Sequence, residues 1–160
     1  MKKVLLAYYN GGEVTKVVKC AEKVFSKENF SIEKMEIVSL PNIDPRKQKK
    51  IEQWLKVKRS PKSVKQFDLI VLGTPIFAFS SVPAVNAFIR ALPRADGKKV
   101  ILFATGVGLP GSAIKKMKSL LSMKGAKVVA SQAFLSIFEF DSKKTLEIEK
   151  FFADSLLSTQ

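Results

Sequence analysis

FDLIVLGTPIFAFSSVPAVNAFI, residues 67–89, sets the reading of the whole chain. Leu69 to Gly73 is short and apolar, and it ends at the turn residues Gly73-Thr74-Pro75. That is the pattern of a strand buried on both faces. Pro83 then opens a helical stretch through Leu92, with Ala84, Val85, Ala87, Phe88 and Ile89 inside it. Proline at a helix start loses nothing, because its missing N–H would have no partner there. A buried strand followed by an apolar helix is half of a strand–helix–strand unit.

The same alternation extends in both directions. Val4–Tyr9, Val100–Thr105 and Val128–Leu135 read as further buried strands, and Ser31–Leu40 as an edge strand with imperfect alternation. Val14, Val17, Val18, Ala21, Val24 and Phe25 fall at helical spacing and predict a helix over residues 15–27. A weaker helix is marked by Ile51, Trp54 and Leu55. In it the spacing of Trp54 to Ile51 favours core packing of the indole. Ile114, Met117, Leu120 and Leu121 predict another helix, ending before Gly125. Ile148, Phe151, Phe152, Leu156 and Leu157 predict one at the C-terminus. Five strands alternating with helices imply a single α/β domain over residues 1–160, built on a parallel sheet.

Composition narrows the chemistry. The chain has no histidine, which removes Ser-His-Asp and Cys-His catalysis and imidazole metal sites. Its one cysteine, Cys20, lies near the apolar stripe of a helix and reads as a small buried hydrophobe rather than a nucleophile. No catalytic acid or base and no metal ligand set stands out. Met1-Lys2-Lys3 leads directly into an apolar run too short for a secretory segment, so the expectation is a first strand and a cytoplasmic protein. The net charge of +14 attracts anions without specifying a fold.

In open α/β sheets ligands bind beyond the carboxyl ends of the strands. Three strand exits are rich in small or hydroxyl residues: Asn10–Thr15, Gly73–Ser81 and Thr105–Ser112. The middle one resembles the flavin loop of flavodoxin-like proteins. That family writes D-x-I-x-x-G-T/S-P, an aromatic region, then P-x-x-x-x-F. Asp68, Ile70, Gly73, Thr74, Pro75, Phe77, Pro83 and Phe88 fit the pattern. Residues 98–129 are similar to the family's next strand, Thr-Gly loop and helix, and the likeness weakens only between residues 41 and 66.

The resemblance implies a five-stranded parallel sheet of order 2-1-3-4-5, doubly wound into a three-layer sandwich. It also implies an FMN site and electron transfer, either as a carrier or as a reductase of a small acceptor. Asn10, Gly11, Gly12 and Thr15 would hold the phosphate. Thr74, Pro75, Phe77, Thr105 and Gly106 would lie at the ring, with Phe79 the other candidate aromatic.

The first loop departs from the family. Flavodoxin-like phosphate loops resemble S/T-x-T-G-x-T, whereas residues 10–15 are Asn-Gly-Gly-Glu-Val-Thr. Backbone amides at a helix start still favour an anion, and the glycines allow close approach. Glu13 opposes it: a carboxylate about 4 Å from a phosphate charge costs roughly 1 kcal/mol in water and about 4 at an effective dielectric near 20. Glu13 could instead itself supply the negative charge at the helix start.

Residues 46–65 carry nine Lys/Arg against one acid, Glu52. Most such runs are solvated faces, but this one also suits an acidic redox partner or an anionic acceptor. The alternative function is therefore a cofactor-free flavodoxin-like protein that engages an anionic partner through this segment. Nucleic acid ranks last, since charge is present without a recognition motif.

Overall fold

The computed structural model of the chain describes residues 1–159. Five long strands form the sheet: β1 (Lys3–Tyr8), β2 (Ser31–Glu36), β5 (Leu69–Phe77), β7 (Lys99–Gly106) and β8 (Lys127–Leu135). Their order is β2-β1-β5-β7-β8, all parallel, which is the order 2-1-3-4-5 expected from the sequence. Short pieces complete the strand set: β3 (Ser39–Leu40), β4 (Lys56–Val57) and β6 (Ser80–Ser81). The helices are α1 (Val14–Lys27), α2 (Pro45–Lys50), α3 (Pro83–Ala91), α4 (Ala113–Ser122) and α5 (Ser142–Leu157). No helix among the described residues is long and apolar enough to cross a membrane.

The two-residue period of the central strands divides the core into two layers. Val4, Leu6, Leu69, Val71, Ile101 and Phe103 point to the face covered by α1 and α5. Leu5, Ala7, Ile70, Leu72, Val100 and Leu102 point to the face covered by α3 and α4. The first layer is aromatic: Phe152 packs edge-to-face on Phe25, Phe103 and Phe151, with centroids 5.1 to 6.1 Å apart. Cys20 is buried on α1, and burial pushes its thiol pKa up, away from reactivity.

Three sequence expectations change. The strand starting at Leu69 runs on through Gly-Thr-Pro to Phe77, because Thr74 and Pro75 still pair with Ala104 and Thr105 of β7. The edge strand breaks after Glu36: the Ile37 amide takes the carbonyl of Tyr8, the last residue of β1, and Ser39–Leu40 then turns away and pairs antiparallel with β4.

The second helix starts earlier than its apolar residues suggest. Asp44 caps it by accepting from the amides of Arg46 and Lys47, and Pro45 occupies its first turn. It stops at Ile51, and a 3₁₀ turn, Glu52–Trp54, follows. The α-helical spacing of Ile51 and Trp54 therefore never forms, and Trp54 is 69% exposed rather than packed.

The buried anchor of α2 is polar instead. The Gln48 amide group donates to the Tyr9 hydroxyl (3.1 Å) and the Ile43 carbonyl (2.7 Å), and its carbonyl accepts from the Ala84 amide (3.1 Å). That network ties the basic segment to the exit of β1 and the start of α3.

Candidate functional site

The exits of β1, β5, β7 and β8 converge on one cleft of about 580 Å³ at the carboxyl end of the sheet. That volume lies within the usual range for small-molecule sites. Gly12 and Glu13 form one wall, Pro75 and Phe79 another, Thr105 and Gly106 the floor, and the loop after β8 the far side. Its rim is apolar and wet: Phe79, Val107, Leu109, Ile137 and Phe138 are all strongly exposed. Among the described residues no lysine or arginine lines it.

The first loop keeps the features of an anion cradle. Gly12 sits at φ +54°, a conformation that suits glycine. The amides of Gly11, Gly12, Glu13 and Thr15 have no hydrogen-bond partner among the described residues. Gly11 serves a different purpose: a Cβ there would stand 3.1 Å from the Pro75 ring, so it lets the first and second loops close on each other.

Thr105 carries the most telling atom. Its side chain is buried, and its Oγ1 has no hydrogen-bond partner. A Cβ built on Gly12 would lie 3.8 Å from it, which places the hydroxyl beside the first loop. An orphaned buried hydroxyl costs about 1–3 kcal/mol, and such groups usually have a partner.

Glu13 does not cap its own helix. Its carboxylate accepts from the Phe140 amide (3.1 Å) and pairs with the Lys16 ammonium (3.0 Å). Lys16 also reaches the Phe140 carbonyl. The acid is thus part of a clasp between the first loop and the loop after β8, and its charge is balanced locally. The Phe140 N–H bond lowers its pKa from the ordinary 4.5, with Lys16 adding to the effect against partial desolvation.

A depressed native pKa gives stability that is present above the unfolded value and is lost as pH falls through the native one. Glu13→Gln is expected to melt below the wild type at about pH 7, with the gap closing as pH drops below about 4.5. Thermal midpoints of both proteins across that range measure it. A gap independent of pH means that the carboxylate charge contributes nothing.

The sequence-derived residues distribute as follows. Gly12, Pro75, Thr105 and Gly106 line the cleft; Asn10 and Thr15 are exposed beside it. Thr74 is fully buried; its hydroxyl donates to the Pro75 carbonyl (2.8 Å) and accepts from the Val82 amide (3.2 Å), bracing the base of the second loop. Phe77 packs partly against the α3 layer, and it is Phe79 that faces the cleft.

Phe79 and Ala78 both adopt positive φ, at 60° and 49°, and the Phe79 carbonyl accepts from the Ser112 amide (2.7 Å). Gly111 permits that contact, since a Cβ there would strike the Phe79 carbonyl. The loop after β8, with Ser136 to Glu139, was not singled out in the sequence. Its position at a fourth strand exit was the available signal.

The comparisons agree with this architecture. The family model described as NADPH-dependent FMN reductase matches residues 8–140. No curated protein sequence matches significantly. Among solved structures, oxidised Flavodoxin 1 from Bacillus cereus superposes with a TM-score of 0.69 at 16% identity, covering 98% of each chain. A flavodoxin from the domain Archaea gives 0.65 at 12% identity, again over 98% of both chains. An NADH:FMN oxidoreductase (EMOB), in its apo form, gives 0.66 at 16% identity, over 99% of this chain and 90% of that one. These likenesses establish the flavodoxin-like fold. With the family match spanning most of its length, from the end of β1 to the loop after β8, the chain belongs to the NADPH-dependent FMN reductase family.

Proposed function

We propose that the cleft binds FMN and that the protein works as an FMN-dependent redox protein, passing electrons from a reduced nicotinamide to a small acceptor or a partner protein. The single observation that carries the site assignment is the buried, unpartnered Thr105 Oγ1 beside left-handed Gly12 at the start of α1. A polyhydroxylated phosphate ester supplies what that pair lacks: an acceptor for the hydroxyl and an anion for the free amides of the first turn.

Gly12, Glu13 and Thr15 would offer their N–H groups to the phosphate, with Asn10 at its outer side. Thr105 would donate to a polar atom of the bound group. Pro75, Gly106 and the aromatic of the second loop would enclose the flat ring. When bound, FMN supplies the electron chemistry itself. The chain's part is to hold it, exclude water from one face and present the other. The Glu13–Lys16 clasp leaves the acid's charge spent before any phosphate arrives, which removes the main objection to an anion in this loop.

The basic segment supports an acidic partner. Arg46, Lys47, Lys49 and Lys50 lie on α2, and exposed Trp54 follows them, giving an aromatic anchor within a cationic face. This second reading adds to the first, because the segment is tied through Gln48 to the exit of β1.

Quenching of FMN fluorescence on titration with the protein tests the assignment. Thr105→Val separates binding from folding. The apolar isostere removes an unsatisfied buried hydroxyl, so the unliganded variant is expected to be as stable as the wild type or more so. Its FMN dissociation constant should rise about tenfold, the value of one hydrogen bond near 1.4 kcal/mol. Equal affinities would remove Thr105 from the site, and no quenching by the wild type would remove FMN.

A further inference from the structure

The chain between β8 and α5 forms a short arch, residues 136–140, along the far side of the cleft. It is pinned at both ends. The Ser136 amide donates to the carbonyl of Gly106, the last residue of β7 (3.0 Å). At the other end the Phe140 ring is buried in the layer under α1 and α5, and Asp141 caps α5 by accepting from the Lys144 amide (2.8 Å). Between the pins the arch has little hold of its own. Among the described residues no backbone hydrogen bond ties Ile137, Phe138 or Glu139 to another element, and the Phe138 amide donates only within the arch, to the Ser136 hydroxyl (3.1 Å).

The tip of the arch is apolar. Ile137 and Phe138 line the cleft, yet they are 72% and 76% exposed. Their direction is set by the peptide that leads out of the pin at Phe140. The N–H of that peptide, between Glu139 and Phe140, is the group that the Glu13 carboxylate accepts. The next peptide is held as well, because the Lys16 ammonium reaches the Phe140 carbonyl (3.5 Å) while pairing with Glu13. Two side chains of the first loop and its helix thus grip consecutive peptides of the fourth loop. A hydrogen bond with one charged partner is stronger than a neutral one, so this grip is the firmest polar contact the arch makes.

We propose that Glu13 is a positioning residue for the flavin site: its carboxylate orients the arch so that Ile137 and Phe138 stand ready to contact bound FMN. The inference rests on the redox reading above. It gives Glu13 two opposed effects. Its charge works against a phosphate in the first loop, whereas its bond to Phe140 works for the ring at the other end of the same ligand. Burial of the Phe140 ring keeps the arch from detaching altogether, so loss of the bond weakens the site without abolishing it.

The test compares two variants of equal charge. Glu13→Gln drops the charge but keeps an oxygen for the Phe140 N–H, and Glu13→Ala drops both. Relief of repulsion is common to the two, so the ratio of their FMN dissociation constants reads the hydrogen bond alone. Glu13→Ala is expected to bind FMN about tenfold more weakly than Glu13→Gln. With Ile137→Ala and Phe138→Ala added to both, the ratio should fall below about twofold, because no apolar tip is left to position. Amide exchange in the unliganded proteins gives a readout without FMN. The Phe140 amide should exchange at least about tenfold faster in Glu13→Ala than in Glu13→Gln, with the amides of β5 and β7 unchanged, which separates loss of the pin from general loosening.

Equal FMN affinities of the two variants overturn the proposal. A tenfold ratio that survives truncation of the tip also overturns it, because Glu13 would then act on the ligand directly. Equal exchange at Phe140 removes the pin itself. Failure of the wild type to bind FMN is seen before any variant is made, and it overturns the redox reading and this role together.

Discussion

Gly73→Ala lowers the stability of the fold by about 3 kcal/mol, the upper part of the range for overpacking a well-filled core. Gly73 pairs directly with Phe103 on β7. A Cβ at Gly73 would strike the tip of the Phe103 ring, which lies across the glycine. Phe103 has no room to retreat, being fully buried and packed edge-to-face on Phe152 at 6.1 Å. For a domain of this size each kcal/mol moves the melting midpoint by about 2–4 °C, so a fall near 10 °C is expected. Adding Phe103→Leu should return part of the loss, making the double variant better than the sum of the two singles. FMN affinity falls with the first change, because Gly73 leads into Thr74 and Pro75. Urea denaturation of the three variants measures the coupling. A Gly73→Ala loss under about 1 kcal/mol, with additive singles, would show that the ring moves freely.

The same glycine explains why the sheet was legible and its end was not. Val4–Tyr9, Val100–Thr105 and Val128–Leu135 stand out because strands covered on both faces are apolar at every position. The strand at Leu69 was equally clear, but Gly73 and Pro75 are turn residues and read as its stop. The glycine is there to accept a ring. The proline is tolerated because of which edge it faces. The Gly73 carbonyl accepts from the Tyr9 amide, so Gly73 and Pro75 face the β1 side, and β1 ends opposite Gly73. Beyond that point a missing N–H costs no ladder bond. Neither circumstance is visible without knowing the neighbouring strands.

Local spacing misled most where the chain has no apolar stripe to follow. Trp54 sits three residues after Ile51, which places it inward only if the helix continues. The buried side chain of that helix is Gln48, which the hydrophobic pattern does not count. Glu13 raises the opposite difficulty. Its charge was evident, but its partner, the Phe140 amide, lies far along the sequence. Thr105 was legible as a hydroxyl at a strand end, because the strand that carries it was. Its lack of any partner emerges only from the packed structure.

Replacing the hairpin tip, Ala78→Asn with Phe79→Gly, is expected to stabilise the protein while weakening FMN binding. Ile76 and Phe77 pair with Ser81 and Ser80, which leaves Ala78 and Phe79 as a two-residue connection with positive φ at both positions. That is the backbone of a type I′ turn, for which Asn-Gly is the favoured sequence. Alanine and phenylalanine there cost roughly 1–2 kcal/mol each, and glycine returns part of the relief through its freer unfolded chain. A net gain of about 1 kcal/mol is expected. It comes without loss of packing, since Phe79 is 66% exposed in the protein alone. Strain kept at a site rim, for a side chain left mostly exposed in the protein alone, fits the proposed contact of Phe79 with the bound flavin. Covering a phenylalanine is worth about 1.5–3 kcal/mol, so the FMN dissociation constant should rise by about 10- to 100-fold. The backbone contact from Ser112 to position 79 survives the change, which keeps the third loop in place. Thermal melts without ligand and FMN titrations on the same samples give both signs at once. A variant that is stabilised yet binds FMN as tightly as the wild type would place the ring elsewhere, and one that is destabilised would mean that the tip is not strained.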